Sequence, residues 1–182
     1  MESTYLAKHF NKLDQQREVF QHEISSYQDL EWKRARVDKW SIGETYYHLY
    51  LMIRRFRQLN HFYLPLAKPL ARLRSKKPYP TNSYNIYKEY TTKRDQSMKA
   101  PSIIAPPEER KRKLTFIELT DAIEQETQLL KEMLVDVKEE VAGHIRYPDP
   151  IAHYPNLIQS IDLLGIHEQH HFNLLRAYYK LL

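Results

Sequence analysis

With 182 residues, 42% of them hydrophobic, only 3 Gly and no Cys, the chain has the length of one domain and the composition of a helical one, spanning 1–182. The missing Cys excludes disulfides and thiolate ligation, so any metal must be held by His, Asp or Glu. Net charge is +5, yet residues 68–113 carry 13 Lys/Arg against 4 Asp/Glu, so the basicity belongs to one solvated connection, and no nucleic-acid module or basic stripe is readable.

In chain order, Leu6, Phe10, Leu13, Phe20 and Ile24 recur at helical spacing and predict a first helix over about 4–25. Ser41-Ile-Gly-Glu44 is a capping box and opens a second helix at Ile42, expected to stop near Leu64, before Pro65. Thr115 to Glu118, with Leu114 and Leu119 as a hydrophobic staple, starts a third near Phe116 that is expected to reach about Val141. A Pro-rich loop over His144–Pro155 follows. Asn156 with Gln159 then opens a fourth helix, whose stripe of Leu157, Ile161, Leu164, Leu174, Leu175 and Tyr178 runs to the end.

The fold class is therefore all-α, a four-helix bundle. About fifty residues between helices 2 and 3 are enough to run back along a helix about 35 Å long, which gives an up-down-down-up order with one long crossover. A structureless connection of that length is improbable, so a short extra helix is expected within Asn82–Gln96. No apolar run approaches a signal or membrane-spanning length, so the protein is expected to be soluble and cytoplasmic, with no membrane partner.

On helix 4 a helical wheel puts His167 and His171 on the buried stripe with Leu164, Leu174, Leu175 and Tyr178. Spaced i, i+4, the two imidazoles can converge on one ion at about 2.0–2.1 Å. His48 lies mid-helix 2 beside the stripe of Ile42, Thr45, Leu49, Met52, Ile53 and Phe56 and completes a facial set of three. Such a set suits one divalent transition metal ion, zinc or nickel before iron, and leaves positions for water or substrate. His9, His22, His61, His144, His153 and His170 are read as surface residues.

Two motifs compete for the same stretch. His167-Glu168-Gln169-His170-His171 matches H-E-x-x-H, but eleven residues follow His171 and none is His, Asp or Glu, so the third ligand a zincin requires is missing. Glu168 and His171 also form one E-x-x-H unit, used twice in di-iron bundles. No second copy is present here, and one metal is expected rather than two. Glu168 is read either as a carboxylate orienting a ligand or as an exposed helix-face charge, and no catalytic residue is assigned.

The segment KWSIGETYYHLYLMIRRF (Lys39–Phe56), a Trp-Ser pair before a helix bearing one His, and the later GIHEQHHFNLL resemble the DinB-like family of metal-binding four-helix bundles, which includes bacillithiol S-transferases and mycothiol-dependent maleylpyruvate isomerases. The resemblance covers most of the chain and puts the family triad on His48, His167 and His171. It implies a metal-dependent transferase whose partners are a small-molecule thiol and an electrophile. The chain departs from the family in its long basic connection. A non-catalytic metal-binding or regulatory bundle and a metal-dependent hydrolase are the alternatives. Tyr46, Tyr47, Tyr178 and Tyr179 are candidates to line a pocket, and exposed apolar faces suggest a homodimer.

Overall fold

A computed structural model describes residues 1–87 and 100–181. Among them the regular structure is helical, apart from one isolated bridge between Arg146 and Asn156. The helices are α1 (Thr4–Glu23), α2 (Ile42–Arg74), α3 (Phe116–Leu134), α4 (Glu139–Ala142) and α5 (Leu157–Tyr179). Each long helix starts where a side chain takes up an otherwise unpaired amide. Ser3 accepts from Leu6, while Ser41 with Glu44, Thr115 with Glu118 and Asn156 with Gln159 form reciprocal capping boxes.

The result is a helical bundle in which α1 packs on α5, α2 packs on α3, and α2 also meets α4 and α5. Two apolar clusters fill it. One gathers Leu6, Phe10, Leu13, Ile53, Leu130 and Ile161, the other Phe20, Ile42, Tyr46, Leu119, Ile123 and Phe172. Phe20 and Phe172 stack at 4.1 Å in the second. Along α1, α3 and α5 the two clusters are separated by polar positions: Arg17 lies between Leu13 and Phe20, Thr127 between Ile123 and Leu130, and Glu168 between Ile161 and Phe172. The bundle thus has a polar layer at mid-height.

Two boundaries differ from expectation. α2 does not stop at Leu64 but continues through Pro65 and Pro69 to Arg74. Both prolines are exposed, so the carbonyls they leave without an amide face water, while Leu64 and Ala71 keep the helix pressed on the core. α3 ends at Leu134 rather than near Val141, because a turn there swings Val137 and Val141 into the core. Most of the extra helix expected within Asn82–Gln96 falls outside the described residues.

The segment before α2 docks onto its first turn. The Trp32 ring lies where a Cβ on Gly43 would approach it to 2.6 Å, so only glycine admits the ring. Arg112, on the return limb of the crossover, covers the same Trp32 ring at 4.4 Å and pairs with Glu44 at 3.3 Å. The basic connection is therefore packed against the bundle at this point, not solvated throughout as its composition suggested.

Candidate metal centre

The capping box at Ser41 fixes the first turn of α2, and His48 follows two turns later on the side facing α5. His48 is 2% exposed. From α5, His167 and His171 stand one turn apart, half-buried, with ring centroids 4.6 Å apart. The His48 ring lies 5.0 Å from His167 and 4.8 Å from His171. One nitrogen from each ring falls within 4.8 Å of the others, and among the described residues this is the group of His, Asp or Glu that could hold an ion. The expected triad is thus brought together. Trp40 lies over two of the rings, 5.0 Å from His48 and 6.1 Å from His171.

The partners of the outer nitrogens define the chemistry. His48 Nδ1 lies 2.7 Å from the Ile104 carbonyl. A carbonyl only accepts, so His48 carries its proton on Nδ1 and turns an Nε2 lone pair inward. That Nε2 faces His167 Nε2 at 2.8 Å, and His167 Nδ1 is hydrogen-bonded to the Tyr87 hydroxyl.

Burial, outweighing the Ile104 carbonyl, holds His48 below its ordinary pKa. Burial, then the nearby His48 and His170, pushes His167 down to about 3. His171 is also held well below the ordinary value, by burial first and then by His167, His48 and His170. All three rings are therefore neutral near pH 7, the state in which imidazole ligates a metal.

This arrangement fits a divalent ion on its own terms. Two nitrogens each about 2.0–2.1 Å from one ion are about 2.9 Å apart at a right angle and about 3.3 Å apart at a tetrahedral one, and the His48–His167 spacing of 2.8 Å is close to the shorter of these. The outer nitrogens of His48 and His167 are already held by a carbonyl and a hydroxyl, partners of the kind that orient metal-bound histidines.

Glu168 is in neither of its expected places. It is 3% exposed and faces away from the triad, with Oε1 2.5 Å from Arg17 Nε and Oε2 3.1 Å from Arg17 Nη2. Arg17 Nη1 in turn donates to Thr127 Oγ1 at 2.6 Å. A carboxylate engaged in this way cannot serve as the base of an H-E-x-x-H site. His170 is half-buried rather than near solvent, because its ring stacks on Tyr87 at 4.4 Å. His9, 3.2 Å from Asp162, and His144, bonded to the Glu140 carbonyl, are half-buried as well. His22, His61 and His153 are exposed as expected.

Of the four candidate tyrosines, Tyr46 packs among Phe20, Phe116 and Phe172, and Tyr47 packs on Tyr50. Tyr179 donates to the Lys33 carbonyl, and Tyr178 lies under Arg36. The aromatic rings placed against the triad are Trp40 and Tyr87. The Trp-Ser pair could have signalled Trp40. No periodicity marks Tyr87 or Ile104, which reach the site from the crossover.

A family model described as the DinB superfamily matches residues 12–175. Comparison with the curated proteins and with the solved structures finds no significant match.

Proposed function

The chain belongs to the DinB superfamily, and from that premise we propose that it is a metal-dependent enzyme acting on a low-molecular-weight thiol. His48, His167 and His171 hold one divalent ion, zinc or nickel before iron. The observation that carries the reading is the convergence of three neutral imidazoles, two of them 2.8 Å apart. Held by those three rings, a divalent ion would supply the Lewis acidity that makes a thiol a better nucleophile toward an electrophile.

The chain's own residues do the rest. It has no Cys, so the sulfur comes from a co-substrate. The Ile104 carbonyl and Tyr87 orient His48 and His167, and Trp40 shields the His48 and His171 rings from water. Glu168 is occupied by Arg17 and so is not free to act as the base of an H-E-x-x-H hydrolase, which favours thiol transfer over hydrolysis assisted by that glutamate.

The test compares metal-loaded, metal-stripped and His48→Ala protein with bacillithiol, glutathione and other thiols against several electrophiles. The loaded protein is expected to consume one thiol faster than the free ion does. No acceleration with any thiol, together with hydrolysis of an ester or amide by the loaded protein, would replace transfer by hydrolysis.

We also propose a homodimer. Leu59, Phe62, Leu66, Leu70 and Leu73 lie exposed along α2 at spacings of three, four, four and three, a stripe along one face of the helix. A monomer in sedimentation at micromolar concentration would dismiss it.

A further inference from the structure

The long crossover touches the triad at two points, one on each limb. Tyr87, on the limb leaving α2, bonds to His167 Nδ1, and the Ile104 carbonyl, on the limb returning to α3, accepts from His48 Nδ1. We propose that Tyr87 is a positioning residue for His167, a partner that holds the ring through either tautomer and so lets it offer Nε2 to an ion. The inference deepens the metal-site reading above and rests on it.

The polarity of the chain of contacts can be followed link by link. The Ile104 carbonyl fixes the His48 proton on Nδ1, so His48 Nε2 is an acceptor. In the ion-free protein His167 Nε2, 2.8 Å away, must then carry the proton of that hydrogen bond. His167 Nδ1 is left as an acceptor, and Tyr87 donates to it.

For His167 to ligate through Nε2, its proton has to sit on Nδ1 instead, and the new N–H needs an acceptor at the same place. The ring stays neutral, since one tautomer replaces the other. A carbonyl such as that of Ile104 could serve only the second state and a backbone amide only the first, but a hydroxyl serves both by turning its hydrogen. Tyr87 is also held in place from the far side, its ring stacked on His170 at 4.4 Å with the planes 14° apart. His48 is therefore permanently set for the ion, while His167 can change tautomer against Tyr87 without losing its partner.

Tyr87→Phe keeps the stack on His170 and deletes only the hydroxyl. Zinc competition titrations of wild type, Tyr87→Phe and His170→Ala measure affinity, and long-range proton–nitrogen NMR of the histidine rings reads the tautomers. Tyr87→Phe is expected to bind one zinc per chain about 10- to 100-fold more weakly than wild type, and His170→Ala to show a smaller loss. In wild type the His167 proton should move from Nε2 to Nδ1 on zinc addition while that of His48 stays on Nδ1.

Equal zinc affinity in wild type and Tyr87→Phe overturns the positioning role and leaves the triad standing. So does a wild-type His167 already protonated on Nδ1 before zinc is added. A wild type that takes up no zinc overturns both. Should Tyr87→Phe not fold, the wild-type tautomer measurement decides by itself.

Discussion

Two polar clusters lie at mid-height in the bundle on different faces of α5, and consecutive residues supply them: Glu168 joins Arg17 and Thr127, and His167 joins His48 and His171. Their hydrogen-bond inventories differ. Arg17 donates through Nε, Nη1 and Nη2 to the two Glu168 oxygens and to Thr127, whose own hydroxyl donates to the Ile123 carbonyl at 2.7 Å. That cluster is complete with the chain's own atoms. The histidine cluster turns three neutral rings toward one point and has fewer protons than nitrogens there. Buried polar groups demand partners, so the first cluster joins α1, α3 and α5, and the second is the one that could hold a cation from outside.

The sharpest way to break this comparison is to open the closed cluster. Glu168→Ala leaves the Arg17 guanidinium buried without its counter-charge and is expected to cost about 3–5 kcal/mol, a drop of roughly 10 °C in melting temperature by calorimetry. Its zinc stoichiometry should stay at one per chain, measured below the new melting point. The double variant Arg17→Met with Glu168→Leu should lose far less stability, since no charge is stranded. A Glu168→Ala protein of wild-type stability, or one whose zinc site alone is lost, would contradict the division of labour between the clusters.

Opening the other cluster has a different signature. His48→Ala, His167→Ala and His171→Ala are each expected to weaken zinc binding by at least about 100-fold, equal to about 2.7 kcal/mol, with little change in the melting temperature of the metal-free protein. His170→Ala should lose less than any of the three, because its ring touches Tyr87 and carries no ligand atom. Equal losses at His170 and His171 would refute the assignment.

The third measurement joins the two. Zinc at ten times its dissociation constant is expected to stabilise wild type by about 1.4 kcal/mol and His171→Ala by nothing measurable at the same concentration, read by urea unfolding. The same increment in both would mean that zinc binds elsewhere.

How legible these clusters were in the sequence follows from what fixes each residue. The helix starts were readable because a cap is local: Ser41 with Glu44 and Asn156 with Gln159 lie three residues apart and satisfy each other. The triad was readable because His167 and His171 interrupt an apolar stripe at one-turn spacing and His48 lies beside the stripe of helix 2, and the family resemblance fell on the same three residues. Arg17 and Glu168 were not, since they are 151 positions apart and a charged residue on a wheel gives no sign of a distant partner. Tyr87 and Ile104 were hidden for the same reason, being brought to the site by the path of a connection. The end of α2 was missed because two prolines were read as a stop, although on an exposed face they cost only hydrogen bonds that water replaces.

The smallest expected effect tests where the two kinds of cluster come closest. Glu44 lies one turn before His48 on α2, yet it belongs to the closed kind. Its carboxylate accepts from the Ser41 amide at 2.8 Å, from Arg34 at 2.8 and 2.6 Å, and from Arg112 at 3.3 Å. Burial raises the pKa of this carboxyl, but the Arg34 hydrogen bonds, the Ser41 amide and the charges of Arg34 and Arg112 outweigh it, so Glu44 lies below its ordinary value of 4.5. The unfolded chain lacks these partners. A carboxyl whose folded pKa is the lower one contributes stability that is present above 4.5 and is lost as pH falls through the folded value. Glu44→Gln keeps an oxygen for the Ser41 amide and removes the charge. Urea unfolding at pH 6 and pH 3.5 should therefore show wild type losing more stability on acidification than Glu44→Gln, by less than about 1 kcal/mol because the Arg34 side chain is 45% exposed. Zinc affinity at pH 7 should be the same in both proteins. An identical pH response would mean that Arg34 and Arg112 contribute nothing through Glu44, and a loss of zinc in Glu44→Gln would move Glu44 from the closed cluster into the metal centre.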